Sequence, residues 1–194
     1  MTLAFGALER GPRENWNRLF DFALGQDGHF TTKQAAAAGY SPQLLIKYIK
    51  SGRIIRVMRG VYRVVHFPAG EHEELTTLWL WAECAGVFSH ETALYLQQLS
   101  DVLPRQVHLT LPVDWARRRL RIPQGLVLYY AEVPKRERGD LGAIPVTTIW
   151  RTLIDCVAVH VSPELIEQAI HQARRRGLID KDETKVLRAR MRVA

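Results

Sequence analysis

Two helix-start signals, at positions 31 and 41, constrain the fold more than any other feature of the chain. Thr31 is followed three positions later by Gln34, the spacing of a capping box, and an alanine-rich stretch comes next. Ser41 precedes Pro42, which is tolerated at the first helical position because an N–H there would have no partner. Gly39 lies between the two signals. The pattern predicts a helix over 32–38, a tight turn and a helix over 42–50, which is typical of a helix-turn-helix.

The residues after this pair of helices predict a β-hairpin. The runs RIIRV (53–57) and VYRVV (61–65) are rich in β-branched and aromatic residues, and they flank a short connection that contains Gly60. Residues 14–24 place apolar side chains at helical spacing, so they predict a helix ahead of the pair. A hairpin directly after the second helix is the wing of a winged helix-turn-helix. Another small α/β module with a hairpin remains the alternative.

The charges of the chain are concentrated in the same region. The chain has a formal net charge of +7, and residues 1–70 hold 10 basic against 4 acidic side chains, a net of +6. Between residues 28 and 70 there is no Asp or Glu. A basic segment without acids is expected of a surface that binds a polyanion, although a solvated basic face would have the same composition. The seven bases of this segment are Lys33, Lys47, Lys50, Arg53, Arg56, Arg59 and Arg63.

These residue types predict a division of roles on double-stranded DNA. The second helix of a helix-turn-helix enters the major groove with its N-terminal residues near base edges, so Gln43 and Lys47 are expected to contact bases. Lys50 and Arg53 are expected to contact phosphates. The first N–H groups of the preceding helix favour a phosphate. The other predicted contact residues are Thr31, Thr32 and Lys33 at the start of that helix, and Arg56, Arg59 and Arg63 in the wing.

The rest of the chain predicts a second domain. The FPAG stretch at 67–70 indicates a linker, which gives a winged helix-turn-helix domain over 1–67 and an α/β domain over 71–194. The predicted fold class is α/β (α+β), with a mixed α/β C-terminal domain. The pattern predicts helices over 73–85, from 89 onward, over 148–159 and over 163–176, strands over 106–111 and 125–133, and a charged tail.

The sequence offers little for catalysis. Cys84 and Cys156 lack metal-ligand spacing and are expected to be buried thiols in a reducing cytosol. His90-Glu91 beside Cys84, or Asp155-Cys156 with His160, is explained more simply by core histidines and buried thiols than by a catalytic dyad. The carboxylates are scattered. We therefore expect no enzymatic activity, no catalytic or metal-binding residues, no cofactor and no membrane partner, and we expect a cytoplasmic protein without a signal peptide or membrane-spanning segment.

Three stretches, taken in order, resemble a known family. FTTKQAAAAGYSPQLLIKYIKSGRIIRVMRGVYRV, FSHETALYLQQLSDVLPRQVHLTLP and IPVTTIWRTLIDCVA are similar to the AbiEi antitoxins of type IV toxin-antitoxin systems. The resemblance implies a winged helix-turn-helix that binds inverted repeats in its own promoter and represses its operon. It also implies a C-terminal domain that neutralises a nucleotidyltransferase-like toxin. The residues onto which it maps DNA binding are Thr32, Lys33, Gln43, Lys47, Lys50, Arg56 and Arg59.

Two other functions remain open at this stage. One is a stand-alone winged-helix transcriptional regulator whose C-terminal domain senses a ligand or dimerises. The other is a DNA-acting enzyme that uses the winged domain for targeting. For the antitoxin we expect self-association on DNA, because one small module offers too little contact area for tight discrimination at physiological salt.

Overall fold

The computed structural model describes residues 15–193. Contacts between residues divide the chain into two compact units, the first ending at Trp81 and the second beginning at Ala82. The described part of the first unit contains α1 (Trp16–Leu24), β1 (His29–Thr31), α2 (Thr32–Ala37), α3 (Pro42–Lys50), β2 (Ile54–Met58), β3 (Val61–Val64) and α4 (Glu73–Trp81).

The three strands of the first unit form one antiparallel sheet in the order β1-β3-β2. Phe30 on β1 faces Tyr62 on β3, and their rings stack with centroids 5.7 Å apart. The predicted hairpin is confirmed, with one residue of displacement at its start. Strand β1 was not predicted, because it is three residues long and its partner strand lies about thirty positions further along the chain.

The core of the first unit lies between the helices and this small sheet. Leu19, Phe30, Ala35, Leu45 and Ile54 are each at most 2% exposed and form one cluster. They come from α1, β1, α2, α3 and β2 in turn, so every one of these elements is fixed by burial of an apolar side chain. The order α1-β1-α2-α3-β2-β3 is that of a winged helix-turn-helix, as the sequence predicts.

Helix α4 packs on this sheet as part of the first unit. The Thr76 hydroxyl donates to Asp27 Oδ2 at 2.7 Å, and Arg63 on β3 pairs with Glu73 at the first position of α4. The sequence pattern assigned this helix to the second domain and extended it to residue 85. In the structure it ends at Trp81.

The second unit has a mixed sheet covered by helices. Its described part contains β4 (Val87–Phe88), α5 (His90–Leu96), β5 (Val107–Leu111), β6 (Leu126–Tyr130), β7 (Arg138–Leu141), β8 (Ile144–Thr147), α6 (Ile149–Ala158), α7 (Pro163–Arg175) and α8 (Lys181–Met191). Two short 3₁₀ helices lie at Val113–Arg117 and Lys135–Glu137. The strand order is β6-β5-β4-β8-β7, with β4 parallel to β8 and β5 parallel to β6.

One hydrophobic cluster of this unit joins its helices. Leu94, Leu153, Ile170 and Leu187, from α5, α6, α7 and α8, are fully buried in one cluster. The predicted fold class, a winged helix-turn-helix followed by a mixed α/β domain, is confirmed. In the part of the chain that the structure covers, no helix is long and apolar enough to cross a membrane.

Two sequence predictions for the second unit are wrong. The expected charged tail is helix α8, because Asp180 caps its first N–H groups and Leu187 is buried in the helical core. Cys84, expected to be buried, is exposed, whereas Cys156 is buried. Cys84 lies in the turn that precedes β4 and has a positive φ of 61°.

Candidate nucleic-acid interface

The two caps predicted from the sequence fix the geometry of the helix pair. Gln34 N–H donates to Thr31 Oγ1 at 3.2 Å and Thr31 N–H donates to Gln34 Oε1 at 2.8 Å, which completes the capping box of α2. Gly39 turns the chain with a φ of +85°, a left-handed conformation that favours glycine. Leu44 N–H donates to Ser41 Oγ at 3.2 Å, which caps α3.

Helix α3 has a buried face and an exposed face. Leu44, Leu45, Tyr48 and Ile49 pack on the core of the first unit. The side chains that point the other way are fully on the surface, and we call them the outer face of α3. The outer face consists of Gln43, Ile46, Lys47 and Lys50. Gln43, Lys47 and Lys50 are three of the predicted DNA contacts, and the spacing of three and four positions places them on one stripe.

The hairpin lies against the start of α2. The main-chain N–H of Thr32 donates to the Gly60 carbonyl at 2.9 Å, and the Thr32 hydroxyl donates to the same oxygen at 3.3 Å. Gly60, with a φ of +83°, and Arg59 form the two-residue connection between Met58 and Val61. The contact fixes the tip of the wing relative to the helix pair, and Arg59 is exposed at that tip.

The expected phosphate site at the first N–H groups of α2 is not supported by this geometry. The N–H groups of Thr31, Thr32 and Gln34 all have acceptors within the unit. Thr32 therefore has a structural role at the wing, and Lys33 remains exposed beside it.

Two basic side chains connect the outer face to the wing. The Arg53 guanidinium lies over the Tyr48 ring, 5.4 Å from its centroid, and is exposed on its outer side. Arg56 lies on the edge strand β2, where its Nε donates to the Met58 carbonyl at 3.4 Å. Within residues 15–193, the bases at 33, 47, 50, 53, 56 and 59 form no ion pair.

Arg63 is the exception among the seven bases. Its side chain is only 12% exposed, Nε donates to Glu73 Oε1 at 3.0 Å, and Nη2 donates to the Phe67 carbonyl at 2.9 Å. Burial raises the pKa of Glu73, but the hydrogen bond from Arg63 and its charge outweigh burial and leave that pKa below its ordinary value. Arg63 therefore ties the wing to α4 and is not part of the exposed basic surface.

The second unit has its own buried polar cluster. The His90 ring stacks on Tyr129 with centroids 3.6 Å apart, and its Nδ1 lies 2.8 Å from Ser89 Oγ. The Tyr129 hydroxyl lies 3.3 Å from His108 Nδ1. Burial, together with smaller effects of the nearby His108 and Arg151, lowers the pKa of His90 to about 3. His90 is therefore neutral at physiological pH.

Asp155 and Cys156, which the sequence raised as a dyad with His160, are both buried on α6. Burial raises the pKa of the Cys156 thiol strongly, so the thiolate is disfavoured. Burial raises the pKa of Asp155 even though Arg151 Nε donates to its Oδ1 at 2.7 Å. No group of three or more His, Cys, Asp or Glu side chains among residues 15–193 is arranged to hold a metal ion.

Comparison with known proteins finds a family model that matches the winged helix-turn-helix. No curated protein is significantly similar in sequence to the chain. Among solved structures, the crystal structure of the RV2827C protein from Mycobacterium tuberculosis is similar with a TM-score of 0.45 and 13% identity, over 94% of this chain and 84% of that chain. The sequence model of the AbiEi_4 family, described as "Transcriptional regulator, AbiEi antitoxin", matches residues 17–65. The resemblance found in the sequence is thereby confirmed over residues 17–65, which are similar to the AbiEi family of antitoxins and transcriptional regulators.

Proposed function

We propose that the first unit binds double-stranded DNA, with α3 as the recognition helix in the major groove. The observation that carries the proposal is the outer face of α3, where Gln43, Lys47 and Lys50 are exposed side by side in a segment without acids. Lysine ammonium groups neutralise phosphates, and amide or ammonium groups donate to base edges, so this face matches the chemistry of a major groove.

We propose a separate role for each of these residues. Gln43 and Lys47, in the first half of α3, contact bases, while Lys50 and Arg53 contact phosphates at the end of the helix. Arg59 at the wing tip and Arg56 on the edge strand contact the backbone or the minor groove. Lys33 contacts a phosphate. Thr32 supports the wing, and Arg63 is excluded from the interface by its bonds to α4.

Fluorescence anisotropy with labelled duplexes tests this interface. The duplexes come from the region upstream of the gene for this protein, and the whole chain is titrated at several salt concentrations. Lys50→Ala should weaken binding and reduce the slope of log affinity against log salt by about 0.9, since one phosphate contact is lost. Lys181→Ala is the matched control, because that lysine is exposed on α8. An equal effect of the two substitutions would show that α3 is not the DNA-binding helix.

We further propose that the protein is an antitoxin of a type IV toxin-antitoxin system that represses its own operon and counteracts a nucleotidyltransferase-like toxin. The family match over residues 17–65 supports the regulatory half of this proposal. The antitoxic half is assigned to the second unit, which is the remainder of the chain.

A co-expression experiment separates this function from that of a stand-alone regulator. The adjacent gene is expressed with the whole chain, with the Lys50→Ala variant, or with residues 1–81 alone. Growth rescue by the whole chain and by the variant, but not by the fragment, is the expected result. Rescue by residues 1–81 alone would contradict the assignment of antitoxicity to the second unit. If the adjacent gene is not toxic, the protein is a regulator without an antitoxin role.

Binding to paired half-sites follows from the small size of the first unit. One winged module contacts only about 600 to 1,000 Å² of DNA, so two copies are needed for tight discrimination. Two recognition helices on one face of the duplex require half-site centres about 10 to 10.5 base pairs apart, or a small multiple of that. Inserting about five base pairs should reduce affinity sharply, and inserting a full turn should restore part of it. Equal affinity for one half-site and for the intact repeat would refute the pairing.

A further inference from the structure

The outer face of α3 contains one residue whose chemistry does not match the others. Ile46 is 53% exposed, although it lies three positions after Gln43 and four before Lys50. Residues at these spacings are neighbours on the surface of a helix. The apolar face of α3 is complete without Ile46, because the core contacts are made by the side chains at 44, 45, 48 and 49. The isoleucine is therefore outside the apolar core cluster.

The surroundings of Ile46 indicate what it can contact on DNA. An aliphatic side chain gains nothing from a phosphate, and its neighbours on the outer face are the groups proposed to contact bases. The major groove edge of a base pair presents one apolar group, the C5-methyl of thymine. Isoleucine is branched at Cβ and holds one preferred χ1 rotamer in a helix, so it presents a fixed apolar surface.

We propose that Ile46 is a specificity-determining residue that contacts the C5-methyl group of a thymine in each half-site. The inference rests on the proposed function of α3 as the recognition helix. The thymine lies next to the base pairs contacted by Gln43 and Lys47, because the three side chains are neighbours on one stripe. Ile46 selects A·T over G·C at this position by burying the methyl group, without a hydrogen bond.

Deoxyuridine substitution tests the contact, because it removes the methyl group and leaves base pairing intact. Duplexes that bind the whole chain are enriched from a random library, and each thymine of the enriched half-site is replaced singly by deoxyuridine. One position per half-site should lose about fourfold in affinity, the value of burying one methyl-sized group. The Ile46→Ala variant should bind the thymine and deoxyuridine duplexes equally well. Leu24→Ala, which shortens a 62% exposed side chain on α1, should retain the fourfold difference.

Two results would overturn the inference. One is a methyl effect that persists in Ile46→Ala, which would place another residue at that methyl group. The other is the absence of a methyl effect at every thymine of the half-site. The Lys47→Ala variant, measured alongside, separates this failure from failure of the proposed function. If Lys47→Ala weakens binding but the wild type shows no methyl effect, only the role of Ile46 is refuted. If Lys47→Ala binds as well as the wild type, α3 is not the recognition helix. Circular dichroism of each variant verifies that the fold is intact.

Discussion

Acidification should destabilise the second unit through His90. This histidine is 5% exposed and has a pKa of about 3 in the folded protein, against 6.5 for an unperturbed side chain. Between these two pH values the unfolded chain therefore binds more protons than the folded protein. As a result, the free energy of unfolding decreases as the pH is lowered from about 6.5 towards 3. At pH 5 the unfolded histidine is almost fully protonated while the folded one is neutral. The resulting loss relative to pH 7.5 is about 2 kcal/mol.

The contribution of His90 can be isolated by substitution. His90 has a φ of +52°, a left-handed conformation that asparagine tolerates better than most residues, so His90→Asn keeps the backbone and removes the titrating group. Urea unfolding of both proteins is measured at pH 7.5 and 5.0, using NMR signals of Leu94 and Leu153 in the core of the second unit. On acidification the free energy of unfolding of the wild type should decrease by about 2 kcal/mol more than that of the variant.

Comparing the wild type with His90→Asn cancels the contributions of the other titrating groups to the pH dependence of the free energy of unfolding. Burial also lowers the pKa of His108, which acts in the same direction as His90. Burial raises the pKa of Asp155, which acts in the opposite direction because the folded state then binds more protons. Both groups are retained in His90→Asn. An equal loss of stability in the two proteins, or a His90 ring signal that titrates near pH 6.5 in the folded wild type, would refute the argument.

Two more predictions concern the first unit. Glu73→Gln should lower the free energy of unfolding of this unit by about 1.5 to 3 kcal/mol, because it weakens the charge-assisted hydrogen bonds from Arg63, whose side chain is 12% exposed. Urea unfolding measures the loss, and an unchanged midpoint would contradict the prediction. A fragment of residues 15–81 should fold and bind DNA, whereas residues 15–67 should unfold at lower urea concentration, because the shorter fragment lacks α4 and leaves Arg63 without its carboxylate. Equal midpoints for the two fragments would show that α4 is dispensable.

The helix pair and the wing were predictable because their signals are local. Thr31 and Ser41 cap helices through hydrogen bonds that span three residues, and Gly39 and Gly60 mark turns where φ is positive. Strand β1 and helix α8 were missed for different reasons. β1 is recognisable only from its pairing with β3, and α8 is so rich in charge that its buried Leu187 and Thr184 did not produce an apolar pattern.

The sequence predicted most residues of the candidate site but did not identify all of them. The sequence identified the charged residues of the outer face, because their spacing follows from helix geometry alone. It did not single out Ile46, although the same spacing places it on the outer face, because attention to charge passes over an apolar residue; the structure shows that it is exposed. Phe67 was assigned to a linker from its neighbours Pro68 and Gly70. Its carbonyl accepts a hydrogen bond from Arg63, a contact that a composition signal does not reveal.

The different environments of Arg59 and Arg63 affect the salt dependence expected for DNA binding. Both arginines lie on the same hairpin, but Glu73 neutralises Arg63 from outside the acid-free segment, so six bases rather than seven remain for phosphates. Each neutralised phosphate contributes about 0.9 to the slope of log affinity against log salt. These six bases can therefore contribute about 5 to the magnitude of the slope, and Arg63 would add to it only if it left Glu73 to bind DNA. The same titration on Glu73→Gln decides the matter, because a slope that steepens by about one would show that this carboxylate alone keeps Arg63 from the phosphates.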